Sequence, residues 1–198
     1  MTRQTRTESQ ASTRGQLLET AQRLFLSDGF SATSLEKVAA EAGFSKGAVY
    51  SNFANKDDLC LAVLDGIRAE RITELVGDVV GAEGIEGRLA GFARWAEKNI
   101  GDEGWTALEV EFATTGRKST RVRDEVSSRR RQITAAIASL LQSQADELGV
   151  SLPLPANDAA VTLLGLGIGL GVQRAIDPEV PVSPLVDLLR LLIEPARR

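Results

Sequence analysis

Apolar residues recur every three or four positions along almost the whole chain, which is the spacing of one face of an α-helix. A strictly alternating pattern, which would favour a strand, occurs only in the run LLGLGIGLG at residues 163–171, where large apolar residues alternate with glycine. Glycine, proline and helix-capping residues mark the breaks in the pattern. The sequence therefore predicts an all-α fold of about nine helices.

The helix boundaries are predicted from capping signals. Capping boxes at residues 13–16 and 33–36 begin the first two helices, and Gly43 ends the second as a left-handed cap. Ser45 and Asn55 are candidate N-caps of the third and fourth helices. The helices after the second are expected over residues 46–52, 56–80, 85–100, 105–115, 120–148, 157–176 and 183–194.

The composition excludes several classes of function. The chain has no histidine and a single cysteine, Cys60, which removes Ser-His-Asp triads, histidine metal sites and intramolecular disulfides. We expect Cys60 to be a small buried side chain, and we expect no cofactor, no metal and no enzymatic activity. The N-terminus lacks a signal-peptide core, and the apolar run 159–173 is shorter than the ~20 residues of a membrane span, so a cytoplasmic protein is predicted.

Charge is divided unevenly between the two ends. Residues 1–56 carry seven Lys/Arg and five acids, whereas the remainder supplies the acidic excess of a chain with net charge -4. A polyanion is therefore expected to meet the N-terminal part. Arg3 and Arg6 could reach DNA, but a solvated, disordered end is the favoured interpretation of residues 1–12. The run at residues 129–131, RRR, is interpreted as a solvated helix face paired with nearby acids.

The stretch GFSKGAVYSNF, residues 43–53, supports two hypotheses. Its first five residues match the G-x-S-x-G nucleophile elbow, but that motif needs a strand before the serine, and a helix is predicted there. Two short helices joined by a turn containing Gly43 are instead typical of a helix-turn-helix. In that interpretation Val49 and Phe53 pin the second helix, and its small outer residues allow close approach to base edges.

The segment LLETAQRLFLSDGFSATSLEKVAAEAGFSKGAVYSNFANKDDLCLAVLD resembles the N-terminal domain of TetR-family transcriptional regulators. The resemblance covers about residues 11–71 and includes A-x-x-L-F, the A-G-F-S-x-G-x-V-Y-x-x-F recognition element and the K-D-D-L opening of the fourth helix. It implies a helix-turn-helix domain over residues 13–56 and a ligand-binding and dimerisation domain over residues 57–198. One departure is Asn52, where many members have histidine.

The resemblance implies a motif from Ser34 to Phe53 that binds double-stranded operator DNA. Thr33, Ser34 and Lys56 are expected on phosphates. The residues expected at or near the DNA in the recognition helix are Ser45, Lys46, Gly47, Ala48, Tyr50, Ser51 and Asn52. A repressor of this type would be a homodimer on a palindromic site, released by a small-molecule effector. The alternative is a small-molecule sensor or carrier whose motif no longer reads DNA.

The C-terminal part offers candidates for the effector pocket and the dimer interface. The pocket candidates are the bulky and polar residues Phe92, Trp95, Trp105, Glu109 and Phe112, each of which could also be plain core. The resemblance implies a dimer interface on the last two helices, with candidates Gly165, Gly169, Leu185, Leu188, Leu189 and Leu192. Four glycines between residues 165 and 171 each cost ~1 kcal/mol in a helix, which favours close helix packing or room for a ligand.

Overall fold

The computed structural model describes residues 6–116 and 119–193, and this part of the chain forms nine α-helices without a strand. The predicted all-α fold is therefore confirmed, and the run 163–171 is helical. The helices are α1 (Arg6–Asp28), α2 (Leu35–Glu41), α3 (Lys46–Asn52), α4 (Lys56–Val80), α5 (Gly84–Asn99), α6 (Glu103–Gly116), α7 (Thr120–Leu148), α8 (Ala156–Ile176) and α9 (Ser183–Ile193).

The first helix begins earlier than its predicted cap. Thr13 lies inside α1, where its hydroxyl donates a hydrogen bond to the carbonyl oxygen of Ser9 at 3.0 Å. Residues 6–12 contain no glycine or proline, and Glu8 lies in the first turn, where the helix dipole favours a carboxylate. The expectation of a disordered arm is therefore wrong for residues 6–12. Arg3 belongs to residues 1–5, which lie outside the described part of the chain.

Three of the predicted caps are present. The side chains of Ser45 and Asn55 accept hydrogen bonds from the backbone N–H of Ala48 and Asp58, and they begin α3 and α4. Gly43 has a φ of +74°, so it ends α2 in the left-handed conformation that glycine adopts without strain. At α2 the cap is Ser34, one residue later than the predicted box, and its oxygen accepts from the N–H of Lys37.

Two apolar cores organise the chain. The first core joins helices α1–α4 to α6 and to the start of α7, because Leu108, Phe112 and Val122 pack into it. Cys60 is fully buried there, as predicted, and burial raises the pKa of its thiol. The second core joins α5, α7, α8 and α9. Helix α6 therefore links the N-terminal helices to the rest of the bundle.

Helix α8 is long and apolar enough to cross a membrane, by length and composition alone. The uncharged apolar run at residues 159–173 is shorter than this helix, which also contains Asp158 and Arg174. In the structure Ala159, Ala160 and Leu163 are buried in the second core. Near the C-terminal end of the helix, the Arg174 guanidinium donates hydrogen bonds to the carbonyl oxygens of Ile100 and Val180. Helix α8 is therefore an integral part of the bundle.

Helices α4 and α5 approach each other closely at Gly91. A Cβ at this position would overlap the backbone carbonyl of Asp78, whereas a Cβ at Gly66, also inside a helix, would meet nothing within 4 Å. We expect Gly91→Ala to lower the free energy of unfolding by about 1–3 kcal/mol through overpacking. Gly66→Ala should raise it by up to ~1 kcal/mol through helix propensity. Urea denaturation followed by circular dichroism measures both, and equal stability of the two variants would contradict the close contact.

Candidate nucleic-acid interface and ligand cavity

Helix α3 presents a polar face to solvent and is anchored from behind. Val49 is fully buried and Phe53 is 4% exposed, so these two side chains fix the helix against α1 and α2. On the outer side Lys46, Gly47 and Tyr50 are exposed, and the tyrosine ring is 54% exposed despite its size. Ser51 is also exposed on this face. The sequence thus predicted correctly which side of α3 packs inward and which faces solvent.

Three residues expected at the DNA make local hydrogen bonds in α3. The hydroxyl of Ser45 accepts a hydrogen bond from the N–H of Ala48 at 3.3 Å, so this serine is the N-cap of α3. A helix and a turn precede it. The carbonyl oxygen of Ala48 accepts from the Asn52 side-chain amide at 2.8 Å and from the Ser51 hydroxyl at 2.9 Å. These contacts hold the ends of a helix that has only seven residues.

Arg14 of α1 supports the end of α3, and sequence reasoning missed this residue. Its guanidinium donates a hydrogen bond to the carbonyl oxygen of Asn52 at 2.7 Å and lies 4.2 Å from the centre of the Phe53 ring. A cation is favourable at the C-terminal end of a helix and over an aromatic face. The partners are 38 residues apart in sequence, so no local pattern indicates the contact.

Two of the predicted phosphate ligands hold the fold instead. Thr33 is 1% exposed, and its hydroxyl donates to the carbonyl oxygens of Leu24 and Gly29. Lys56 donates to the carbonyl oxygens of Phe30, Ser31 and Thr33, which uses all three hydrogens of its ammonium group. The predicted phosphate roles of Thr33 and Lys56 are therefore corrected.

The remaining candidate phosphate ligands are exposed. Ser34 lies at the exposed N-terminus of α2. Lys46 is exposed, with its ammonium nitrogen 3.4 Å from a carboxylate oxygen of Glu36. The Glu36 carboxylate accepts hydrogen bonds from its own backbone N–H and from Lys46, and these bonds hold the pKa of Glu36 below its usual value. Such exposed ion pairs are weak, so Lys46 can exchange its partner for a phosphate.

Glu111 of α6 joins the body of the protein to the turn between α1 and α2. Its two carboxylate oxygens accept hydrogen bonds from the backbone N–H groups of Phe30, at 2.7 Å, and Ser31, at 2.9 Å. Partial burial acts to raise the pKa of Glu111, but the hydrogen bonds from Ser31 and Phe30 and the charge of Lys56 leave it below its usual value. Beside it, the Phe112 ring packs edge-on against Phe30 at 5.1 Å.

A second link runs from α7 to the start of α4. The Arg121 guanidinium donates to a carboxylate oxygen of Asp58 at 2.7 Å and to the side-chain oxygen of Asn55 at 3.3 Å. The hydrogen bond to Asp58 and the negative charge of that carboxylate raise the pKa of the arginine. In the basic run, Arg129 pairs with Asp65 and Glu125, and Arg130 pairs with Glu109, so the predicted pairing with acids is confirmed. The expectation of a solvated face is wrong for Arg130, because this side chain lines the cavity described below.

A cavity of about 440 Å³ lies among helices α4 to α9. Four predicted pocket residues, Phe92, Trp95, Trp105 and Glu109, line it. Phe112 does not, because it is 1% exposed and packs in the first core, so its assignment to the pocket is corrected. The cavity volume is within the range of small-molecule sites.

Half of the polar side chains of the cavity wall are arginines. Arg68 and Arg71 lie 5.5 and 4.9 Å from the centre of the Trp105 ring. Arg68 also pairs with Glu109 at 3.1 Å, and Arg71 donates to the carbonyl oxygen of Asn99 at 2.9 Å. Burial lowers the pKa of Arg71, although the nearby acids act in the opposite direction. No pattern in the sequence indicated these arginines, because their approach to the cavity depends on how α4 packs.

The predicted dimer residues divide into two groups. Gly165 and Gly169 are exposed on α8, and Leu188 of α9 is half-buried. Leu185 and Leu192 are each 3% exposed and lie in the core of the chain, and Leu189 lines the cavity. The assignment of these three residues to an outer, dimer-forming face is therefore wrong. The most exposed large apolar residues of the two helices, which sequence reasoning missed, are Val161, Ile176 and Leu191.

Residues 17–63 match the family model for bacterial regulatory proteins of the tetR family. This part of the chain is therefore similar to the N-terminal domain of TetR-family regulators. The transcriptional regulator TtgR of Pseudomonas putida is 42% identical over 67 residues, which cover 34% of this chain and 31% of that protein. The regulator AcrR of Shigella flexneri is 46% identical over 59 residues, which cover 30% and 27%. The match thus spans less than a third of the length of these relatives.

Similarity over the whole fold extends beyond this domain. A crystal structure of a TetR-family transcriptional regulator from Streptomyces coelicolor superimposes with a TM-score of 0.68 at 23% identity. The superposition covers 93% of this chain and 97% of the Streptomyces protein. The C-terminal helices of the present chain therefore have the same fold as those of this regulator.

Glu111→Gln tests the link between α6 and the α1–α2 turn. The amide has one acceptor oxygen for the two N–H groups, so we expect a loss of about 1–2 kcal/mol in the free energy of unfolding at pH 7. Because the pKa of Glu111 is lowered in the folded state, the wild-type contribution is present above the usual carboxyl pKa and is lost as pH falls through the lowered pKa. The difference between wild type and variant should therefore shrink on acidification.

The exposed residue Glu70 supplies the control for this substitution. Glu70→Gln should leave the free energy of unfolding within about 0.5 kcal/mol of wild type in the same urea titrations. An equal effect of the two substitutions would show that the hydrogen bonds of Glu111 do not stabilise the fold.

Proposed function

We propose that the chain is a sequence-specific, double-stranded DNA-binding transcriptional regulator. The observation that carries this proposal is helix α3, which exposes Lys46, Gly47 and Tyr50 while Val49 and Phe53 hold it from behind. A short helix presented in this way fits the major groove of DNA, where its small residues allow close approach to base edges. The helix lies within the family match at residues 17–63.

In this proposal the exposed residues divide between bases and phosphates. Tyr50 and Ser51 face outward from the middle of α3 and are placed for contacts to bases or the sugar-phosphate backbone. Lys46, at the N-terminal end of α3, and Ser34, at the N-terminus of α2, are suited to phosphates. Thr33, Lys56 and Arg14 act indirectly, since they hold the turn and helix that carry these side chains.

Specific binding also requires a second copy of the chain. One helix of seven residues contacts too few bases, whereas a symmetric dimer reads two half-sites of a palindrome. The outer face of α8 and α9 is suited to this pairing, because Val161 and Leu191 are 54% and 70% exposed. Between them, Gly165 and Gly169 leave open space above the backbone of α8 where a partner helix can approach.

Helix α6 connects the cavity to the DNA-binding helices in this proposal. Trp105 and Glu109 line the cavity, while Leu108, Glu111 and Phe112 contact the N-terminal helices. A ligand that displaces α6 therefore moves the turn held by Glu111. The ligand shifts the equilibrium only if it binds the released conformation more tightly than the DNA-bound one. In this proposal the protein is a cytoplasmic repressor, and its effector releases it from the operator DNA.

Gel-shift assays with the DNA upstream of the protein's own gene test the proposal. We expect a specific band that weakens as salt rises, because phosphate contacts release counterions. Absence of a specific band at every salt concentration, also with genomic fragments offered for selection, would favour a small-molecule sensor or carrier instead.

Tyr50→Ala and Lys46→Ala should each weaken operator binding by about 10- to 100-fold with little change in thermal stability. Both side chains are exposed, so their loss removes contacts to DNA and little packing. Lys98→Ala on α5 is the matched control, since this lysine is also exposed and lies outside the family match. Fluorescence anisotropy with a labelled operator measures the three affinities. Unchanged binding in both test variants would show that α3 does not read DNA.

Leu191→Glu should shift the protein from dimer to monomer in analytical ultracentrifugation, since it places a charge on the proposed apolar interface. Val80→Glu is the control, because Val80 is 48% exposed at the end of α4 and does not belong to the proposed interface helices. A monomeric wild type, or dimers in both variants, would exclude this face as the interface.

A further inference from the structure

The cavity wall carries an excess of positive charge in an acidic protein. Four arginines, Arg68, Arg71, Arg88 and Arg130, line the cavity together with a single carboxylate, Glu109. The whole chain has a net charge of -4, so the positive excess is a local property of this site. A ligand that carries a negative charge is favoured there by Coulomb attraction in surroundings of low polarity.

Three of these arginines have partners within the wall or at its edge. Arg68 and Arg130 share Glu109, at 3.1 and 3.4 Å. Arg71 donates to the carbonyl oxygen of Asn99 and lies 3.5 Å from Asp102. Arg68 and Arg71 also lie over the Trp105 ring. The Glu109 carboxylate and the Trp105 ring, the features that would attract a cationic ligand, already have cations of the protein beside them.

Arg88 also has partners, but one of its donors is left without one. It is 8% exposed on α5, and its two terminal nitrogens bind the Gln144 side-chain oxygen at 2.7 Å and Glu147 at 2.8 Å. Its Nε is buried and has no hydrogen-bond partner in the part of the chain that the structure describes. An unpaired buried donor is costly, and Glu147 offsets the charge only weakly because its side chain is 58% exposed.

The remainder of the wall is apolar. Most of the other lining residues are aliphatic or aromatic, and they include Leu75, Leu140, Leu163, Leu189 and Ile193. A site with this lining stabilises a ligand by burying its apolar surface, and a few polar groups then fix its orientation. Arg88, with its unused donor, is the polar group best suited to orient a charged end.

We propose that the effector is an amphipathic monocarboxylate whose carboxylate binds at Arg88 while its apolar body fills the cavity. This inference rests on the proposed function, because it names the ligand class of the same cavity. When the Arg88 side chain turns its buried Nε toward the cavity, the carboxylate accepts the Nε hydrogen, which has no partner in the described part of the chain; such a charge-assisted bond is stronger than one between neutral groups. With a neutral ligand of the same length, only the exposed Glu147 offsets the Arg88 charge.

Three probes with the same alkyl chain test the charge preference: dodecanoate, 1-dodecanol and dodecyltrimethylammonium. Trp95 and Trp105, the two tryptophans of the chain, both line the cavity, so their intrinsic fluorescence reports binding without DNA. We expect dodecanoate to bind at least 10-fold more tightly than the alcohol, and the cation to bind most weakly. Equal affinities for acid and alcohol, or no binding of any probe, would overturn the proposal.

Substitutions locate the carboxylate. In Arg88→Gln the preference for dodecanoate over dodecanol should fall below about 3-fold, whereas Arg130→Gln, the control at another arginine of the same wall, should keep it near 10-fold. If Arg88→Gln does not fold, as judged by circular dichroism, Gln144→Glu supplies a second test. Its new carboxylate lies beside Arg88 and should also abolish the preference. Loss of preference in Arg130→Gln, with preference kept in either Arg88→Gln or Gln144→Glu, would place the carboxylate elsewhere.

The probe titrations and the gel shifts distinguish the two proposals. A specific DNA band together with no preference for dodecanoate overturns the ligand class and leaves the regulator standing. A clear preference for dodecanoate with no DNA binding at any salt concentration overturns the regulator, while the ligand class remains supported.

Discussion

The carboxylate of Glu111 is the contact on which the placement of the N-terminal helices depends. It accepts two hydrogen bonds from the backbone of the turn after α1, and Lys56 binds the carbonyl groups of the same turn from α4. The hydrogen bond to the N–H of Phe30 is partly buried, and an unpaired N–H away from water would be costly. The turn thus holds α1 and α2 in a fixed relation to α6.

The same helix α6 also forms part of the cavity wall, and this double use unites the two halves of the molecule. Phe112 packs on Phe30 in the first core, whereas Trp105 and Glu109 border the cavity. Well-packed helices move as rigid elements rather than deform continuously, so a shift of α6 at the cavity also moves the residues that contact the N-terminal helices. The proposed control of DNA binding by an effector uses this geometry.

Arginine has two different structural tasks in this chain. Arg14 and Arg121 use their forked guanidinium groups to join separate helices through carbonyl and side-chain oxygens. The arginines of the cavity wall, by contrast, place positive charge beside an apolar space, and Arg88 retains a donor that the described protein atoms do not satisfy. Arg14 and Arg121 hold the end of α3 and the start of α4 in place. The arginines of the cavity wall give the cavity its selectivity for a negative ligand in our proposal.

Local signals in the sequence determined the helices, their caps and the anchored face of α3. Ser45, Asn55 and Gly43 act within a few residues of their own position, so their pattern was sufficient to predict them. The earlier start of α1 was missed because polar residues without a breaker can extend a helix beyond a plausible cap. The resemblance of residues 11–71 to the TetR family was likewise contained in the sequence and is confirmed by the family match.

Only the tertiary structure decided which polar side chains face solvent. Thr33 and Lys56 have the composition of phosphate ligands, yet the packing of α1, α2 and α4 directs them to backbone carbonyls. Leu185 and Leu188 share the predicted apolar face of α9, but the packing of this helix against α5 and α8 buries Leu185 and leaves Leu188 only half-buried. Periodicity fixes the face of a helix on which a residue lies, whereas its neighbour on that face is set by contacts distant in sequence.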